Sequence, residues 1–183
     1  VKISGDKLKM MAEQSGATIE SLASALPKGE RRKQGGEAQK KVRNWLAGRD
    51  HPRCKPAEVT AMAGALGCRP KDLVRFQSQF KYARSSWRKT DLVLDLIRGK
   101  RVDEADALLR FSPKRAAVMV RKALHAAIAD AEAADASVER LFVTESRVDE
   151  GPTIKRFQPK DRGRSHPILK RTSHIIVGVE EAL

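Results

Sequence analysis

Seven cations crowd one stretch of this chain. Lys155, Arg156, Lys160, Arg162, Arg164, Lys170 and Arg171 fall between residues 153 and 174, against one acid, Asp161. Cations at this density are suited to meeting a polyanion. Each Lys or Arg that reaches a phosphate releases condensed counterions, so binding falls steeply with salt. Arg forks grip phosphate at two points or stack on bases, whereas Lys acts as a point charge. Gly163 permits a turn with positive φ and close backbone approach to a phosphate. The apolar residues here (Ile154, Phe157, Ile168, Leu169) are too few to build a core around. Such an arm is expected to be mobile when free and ordered on a polyanion. The alternative is a solvated charged loop. The length, the nearly single sign and the flanking strand-like runs favour contact.

The other reactive side chains do not assemble into a catalytic set. Asp149 and Glu150 are adjacent carboxylates, but they precede Gly151-Pro152 and read as a solvated turn. Paired carboxylates catalyse only where a pocket drives their pKa values apart. No nucleophile–base–orienter set and no phosphate-cradling glycine loop is evident, so no enzymatic activity is expected. Cys54 and Cys68 stand alone, without a CxxC pair. Neither a zinc site nor a disulfide framework is expected, nor any other cofactor. His125 reads as structural or solvent-facing.

The whole chain repeats the charge argument. Its 183 residues suit one large domain or two small ones. Lys and Arg number 37 and Asp and Glu 23, a formal charge of +14. An excess of this size implies a polyanionic partner, either nucleic acid or an anionic membrane. No basic amphipathic helix with a bulky apolar face stands out, which favours nucleic acid. No apolar run approaches the roughly 18 residues of a membrane helix. No leader pattern follows Val1, and a reducing, cytoplasmic setting is expected. Aromatics are 4% of the chain, poor for a β-sandwich or for a platform of stacked bases. Residues 1–80 carry a net +8 and residues 81–183 a net +6. The stretch 153–174 supplies all of that +6 (seven minus one), so the pattern is a folded body with one charged projection.

The elements that must hold this projection follow from periodicity. Helices are expected over 6–14, 18–26 with Thr18 as N-cap, 37–47, 56–66 and briefly from Pro70. Residues 27–36 read as a charged loop. A second set begins near Lys81: a helix stopped by Gly99, one over 102–110, and a long helix launched at Ser112-Pro113 and running to about Ala134. The period then changes to two. Strand-like runs lie at 141–151 and 173–179, and together with the basic stretch they suggest a long β-hairpin at about 148–179.

Four segments carry a family resemblance: ARSSWRKTDLVLDLIRGK (83–100), SPKRAAVMVRKALHAAIADAE (112–132), VDEGPTIKRFQPKDRGR (148–164) and ILKRTSHIIVGV (168–179). Collinear over about residues 81–183, they resemble protein twenty-two of the large ribosomal subunit in its bacterial form. The resemblance implies an α+β fold, a small helical body on a three-stranded antiparallel sheet with a long protruding β-hairpin. It implies a structural constituent of the large subunit that binds rRNA, supports early assembly and lines the peptide exit tunnel with its hairpin. Implied partners are large-subunit rRNA, neighbouring ribosomal proteins including protein four at the tunnel, and the nascent peptide passing the hairpin tip. The implied location is cytoplasmic and ribosome-bound.

Residue by residue, the resemblance places the tip at about Gln158–Ser165 and a macrolide-linked segment at Ile154, Lys155 and Arg156. Its rRNA contacts would be Arg84, Ser85, Ser86, Lys155, Arg156, Lys160, Arg162, Gly163, Arg164, Lys170, Arg171, Thr172, Ser173 and His174. Ser85 and Ser86 also read as helix caps, and His174 as a satisfied strand residue. His166-Pro167 departs from the family, and proline cannot donate to a ladder, so the sequence leaves pairing near the tip open while the hairpin as a whole stands. Trp87 and Thr90 are also atypical for the family.

Residues 1–75 are an addition with their own pattern. QKKVRNWLAGRDHPRCKPAEVTAMAGALGCRPKDLV (39–74) resembles the second half of phage-repressor-like helix-turn-helix domains, through Trp45, Gly48, Leu66, Gly67 and Leu73. That likeness implies an all-α extension with Gln39, Lys40 and Arg43 on an exposed recognition helix. The bland alternative is a helical bundle in which Trp45, Leu46, Leu66 and Leu73 are core. Residues 76–82 (FQSQFKY) read as a linker to the 83–183 domain. A DNA-binding regulator acting through the extension is the alternative function.

Overall fold

A computed structural model describes residues 2–27 and 35–182. Most of the loop expected over 27–36 therefore lies outside the described residues. The chain divides at Arg75/Phe76 into two compact units.

The first unit is helical: α1 (Gly5–Ser15), α2 (Ile19–Ala25), α3 (Gly35–Leu46), α4 (Pro56–Leu66) and a 3-10 turn (Pro70–Leu73). Thr18 caps α2 by accepting the Ser21 N–H at 3.3 Å. Leu8, Leu22, Val42, Trp45, Met62 and Leu73 are fully buried. Apolar burial of this kind stabilises by roughly 1.5–3 kcal/mol per large side chain. Gly5 lets α1 start against the end of α3, since a Cβ there would lie 2.6 Å from Gly48 Cα and 2.7 Å from the Trp45 carbonyl. An additional strand, β1 (Lys2–Ile3), pairs with Arg75 and Val74 at the start of β2 (Val74–Ala83).

The second unit runs α5 (Trp87–Ile97), α6 (Val102–Phe111), α7 (Arg115–Glu132), β3 (Leu141–Glu150), β4 (Ile154–Pro159), β5 (Ser165–Lys170) and β6 (Ser173–Glu181), after the greater part of β2. Strand β6 lies between β2 and β3, antiparallel to both. Helices α5 and α7 cover β3 and β6. Ala117, Val120, Leu124, Ala127 and Ala131 recur every three or four residues on α7, and all are buried. Opposite them are Ile175, Val177 and Val179, also buried. The alanines let the helix approach the sheet closely.

The linker expected over 76–82 is corrected by the structure: these residues are the body of β2. Phe76, Ser78 and Phe80 alternate with Gln77, Gln79 and Lys81, the period of a half-buried strand, and Phe76 is buried. The polar composition of FQSQFKY masked that alternation. The antiparallel pairing of the hairpin runs from the body sheet, where β3 meets β6 up to Glu150↔Ser173, into β4 and β5, which alone form the separate two-stranded ribbon.

Candidate nucleic-acid interface

Strands β4 and β5 pair without interruption from Ile154↔Lys170 to Pro159↔Ser165. Pairing is kept at His166-Pro167, for Gln158 faces His166 and Phe157 faces Pro167. In a two-stranded ribbon every strand is an edge strand, where proline is tolerated. At the tip the Lys160 N–H donates to the Arg164 carbonyl at 2.7 Å. The turn needs positive φ at Arg162 (52°) and Gly163 (72°). Residues 155–171 are all exposed, Phe157 at 74%. Such a ribbon gains almost nothing from apolar burial, and a lone hairpin is at best marginal in water. Among the described residues, Lys155, Arg156, Lys160, Arg162, Arg164 and Lys170 have no ion-pair partner. They are free to neutralise phosphates.

The ribbon is pinned at its base. The Gly151 N–H donates to the Thr172 carbonyl at 3.0 Å. The Thr172 hydroxyl donates to the Pro152 carbonyl at 2.7 Å. A Cβ at Gly151 would sit 2.6 Å from Thr172 Oγ1, so glycine is required for the close approach. Thr172 and Ser173 are buried, which gives them a part in the latch and the sheet and no surface to offer RNA. Arg171 lies 3.7 Å from Glu150, and Arg147 lies 3.6 Å from Asp149. The adjacent carboxylates thus face guanidinium groups.

Where β2 leads into α5, Arg84 is exposed and Ser85 and Ser86 are half-exposed. Ser86 occupies the N-cap of α5, yet its side chain makes no capping hydrogen bond. The Arg88 guanidinium lies over the Trp87 ring at 5.3 Å. Tyr82, which no sequence motif singles out, also lies here. It sits in an irregularity of the β2–β6 pairing with φ of 57°. Its N–H donates to His174 Nδ1 at 3.1 Å, and the two rings meet edge to face at 4.9 Å. His174 is half-buried in β6.

Elsewhere in the second unit, Asp106 accepts from Arg121 at 2.7 Å and lies 2.8 Å from His125 Nε2. The Arg121 hydrogen bond is the main cause holding its carboxyl below the usual range. His125 therefore has a structural partner. In the first unit Lys40 and Arg43 are exposed on α3 and Gln39 is half-exposed. Lys41 turns the other way, to Glu58 at 2.9 Å. Trp45, Leu46, Leu66 and Leu73 are buried or half-buried, as a core reading requires. Trp45 Nε1 and Asn44 Nδ2 donate to the carbonyls of Pro52 (2.8 Å) and His51 (2.9 Å), tying down the loop after α3. Burial, with Glu58 and Asp50 nearby, pushes the Cys54 thiol up to about 12. Among the described residues no group of His, Cys, Asp and Glu could hold a metal ion, and no helix is long and apolar enough to cross a membrane.

The second unit coincides with a match to known proteins. The family model for ribosomal protein L22p/L17e matches residues 78–180. The large ribosomal subunit protein uL22 of Clostridium novyi (strain NT) is 48% identical over 102 residues, which cover 55% of this chain and 92% of that protein. The α+β body, the antiparallel strands β2, β6 and β3 (extended by the short β1 to a four-stranded sheet) and the protruding cationic ribbon agree with that assignment, and the chain belongs to the ribosomal protein L22p/L17e family.

Proposed function

We propose that this protein is a structural, non-enzymatic constituent of the large ribosomal subunit. It binds large-subunit rRNA, takes part in early assembly, and threads its β4–β5 ribbon inward to line the peptide exit tunnel. The observation that carries this reading is the ribbon itself: six cations without an ion-pair partner among the described residues, on a strand pair with no buried residue between 155 and 170. A surface of that kind is stabilised by the polyanion that surrounds it. Arg84, Ser85, Ser86, Arg171 and His174 extend the contact over the body, where the ribbon joins the sheet. At the tunnel the ribbon meets neighbouring ribosomal proteins, protein four among them, and its tip faces the passing nascent peptide. The protein is cytoplasmic and ribosome-bound.

The first unit lies outside the family match. Its exposed Lys40 and Arg43, with Gln39, form a further nucleic-acid contact on α3, directed at rRNA. Sedimenting a lysate through sucrose in moderate salt tests the whole reading. The chain is expected to run near stoichiometric with large subunits and to be stripped from them by high salt. A chain that stays at the top of the gradient, or that follows DNA as a regulator acting through its first unit would, refutes it.

A further inference from the structure

The surface beside the base of the ribbon contains a feature that phosphate binding does not explain. Tyr82 is exposed to 60% and holds φ of 57°, a conformation costly for a bulky side chain. Such strain persists only where the surroundings over-determine it. Here two contacts do so. The His174 ring nitrogen accepts the Tyr82 N–H at 3.1 Å, and its ring meets the phenol ring at 4.9 Å and 80°. Whichever ring presents its edge, at least one face of the tyrosine is left uncovered by His174. The neighbours in sequence are cationic: Lys81 and Arg84 are both exposed, and no acid occurs from residue 81 to residue 90.

We propose that Tyr82, clamped by His174, is a stacking site for one unpaired base of RNA, with Lys81 and Arg84 placed for the phosphates on either side. The inference rests on the rRNA-binding reading of the body and adds a kind of contact that the cationic ribbon cannot make. Base–aromatic stacking tolerates any base, because each has a π-face. The scarcity of aromatics over the whole chain argued against a platform of several rings, but a single fixed ring needs no such abundance. The strain has a purpose in this arrangement, since left-handed backbone at residue 82 turns a strand side chain out of the sheet's alternation.

The test uses the full chain and in vitro transcribed large-subunit rRNA of the same organism, in filter binding at several salt concentrations. Tyr82→Gly and Tyr82→Asn remove the ring while suiting the positive φ, and Tyr82→Phe keeps the ring without its hydroxyl. The Gly and Asn variants are expected to melt within a few degrees of the parent or above it. They are expected to bind rRNA about ten-fold more weakly, the size of one lost base–aromatic stack. The slope of affinity against salt should be unchanged, because a stacked base releases no counterions. Tyr82→Phe should bind as the parent does. Unimpaired binding by the Gly and Asn variants overturns the stacking site alone. Equal weakening in the Phe variant also overturns it, by assigning the contact to the hydroxyl. Failure of the parent chain to bind the rRNA overturns both this inference and the reading beneath it.

Discussion

Lys155, Arg156 and Arg164 offer a clean separation of charge from fold. All three are exposed, none is in an ion pair among the described residues, and the one hydrogen bond recorded for their side chains is from Arg156 to the neighbouring Lys155 carbonyl at 2.7 Å. Replacing them together with Gln removes three positive charges without removing a contact to the body. If each neutralises one phosphate, the slope of log K against log salt falls by about 0.7–0.9 per charge, or roughly 2–3 for the triple variant. The loss of affinity is then largest at low salt and shrinks as salt rises. The assay is rRNA binding between 50 mM and 400 mM salt, with circular dichroism and a thermal melt run in parallel. Helical signal and melting temperature should match the parent, because α5–α7 and the body sheet bury nothing from this ribbon. A parallel shift of the whole salt curve, with its slope intact, would refute the reasoning: these side chains would then contribute by some route other than phosphate neutralisation. A lower melting temperature in the variant would refute the separation of ribbon from body.

Three further outcomes follow from particular contacts. Gly151→Ala should destabilise the second unit by about 1–3 kcal/mol through overpacking against Thr172. Combined with Thr172→Ala it should cost less than the sum of the two single changes, and strict additivity in chemical denaturation would show that the two residues do not meet. The Asp106 carboxyl is held below its ordinary value by Arg121, so the stability it contributes is present above the unfolded carboxylate range and lost as pH falls through the depressed value. For this exposed ion pair the contribution is small, because solvent screens it. Parent and Asp106→Asn should differ in melting temperature near neutral pH and converge in acid; a gap that widens in acid would reverse the assignment. Finally, a disulfide-exchange reagent at pH 8 should label Cys68 in the native chain and reach Cys54 only on unfolding, because a buried thiol pushed up to about 12 is almost never ionised there.

Much of this architecture could be read from residue order. Period, caps and stops located the helices to within a few residues, since Thr18, Pro56, Gly67 and Gly99 act through local backbone geometry that travels with the residue. The charge arithmetic found the ribbon, because an arm without a core has little to conceal its sign. Three features escaped. Strand β2 is hidden by its polar residues, Gln77 and Gln79 among them, because a strand whose alternate positions are polar looks much like a linker. The inward turn of Thr172 and Ser173 depends on the bonds of Thr172 to Gly151 and Pro152 and on the pairing of Ser173 with Glu150, contacts between distant segments that local pattern does not encode. Tyr82 was missed for the same reason. Its conformation is fixed by a pairing irregularity with β6, 92 residues away at His174.

The position of β6 in the sheet bears on the order of events during synthesis. Strands β2 and β3 meet only through β6, which follows the ribbon in the chain. A nascent polypeptide thus displays its cationic arm before the strand that closes the body exists. Pairings of such long sequence separation are slow to form. Through that interval the arm is attached to an unfinished scaffold and is attractive to any passing RNA, so a chain interrupted after residue 172 should be a sticky, half-built species rather than a shortened version of the finished one.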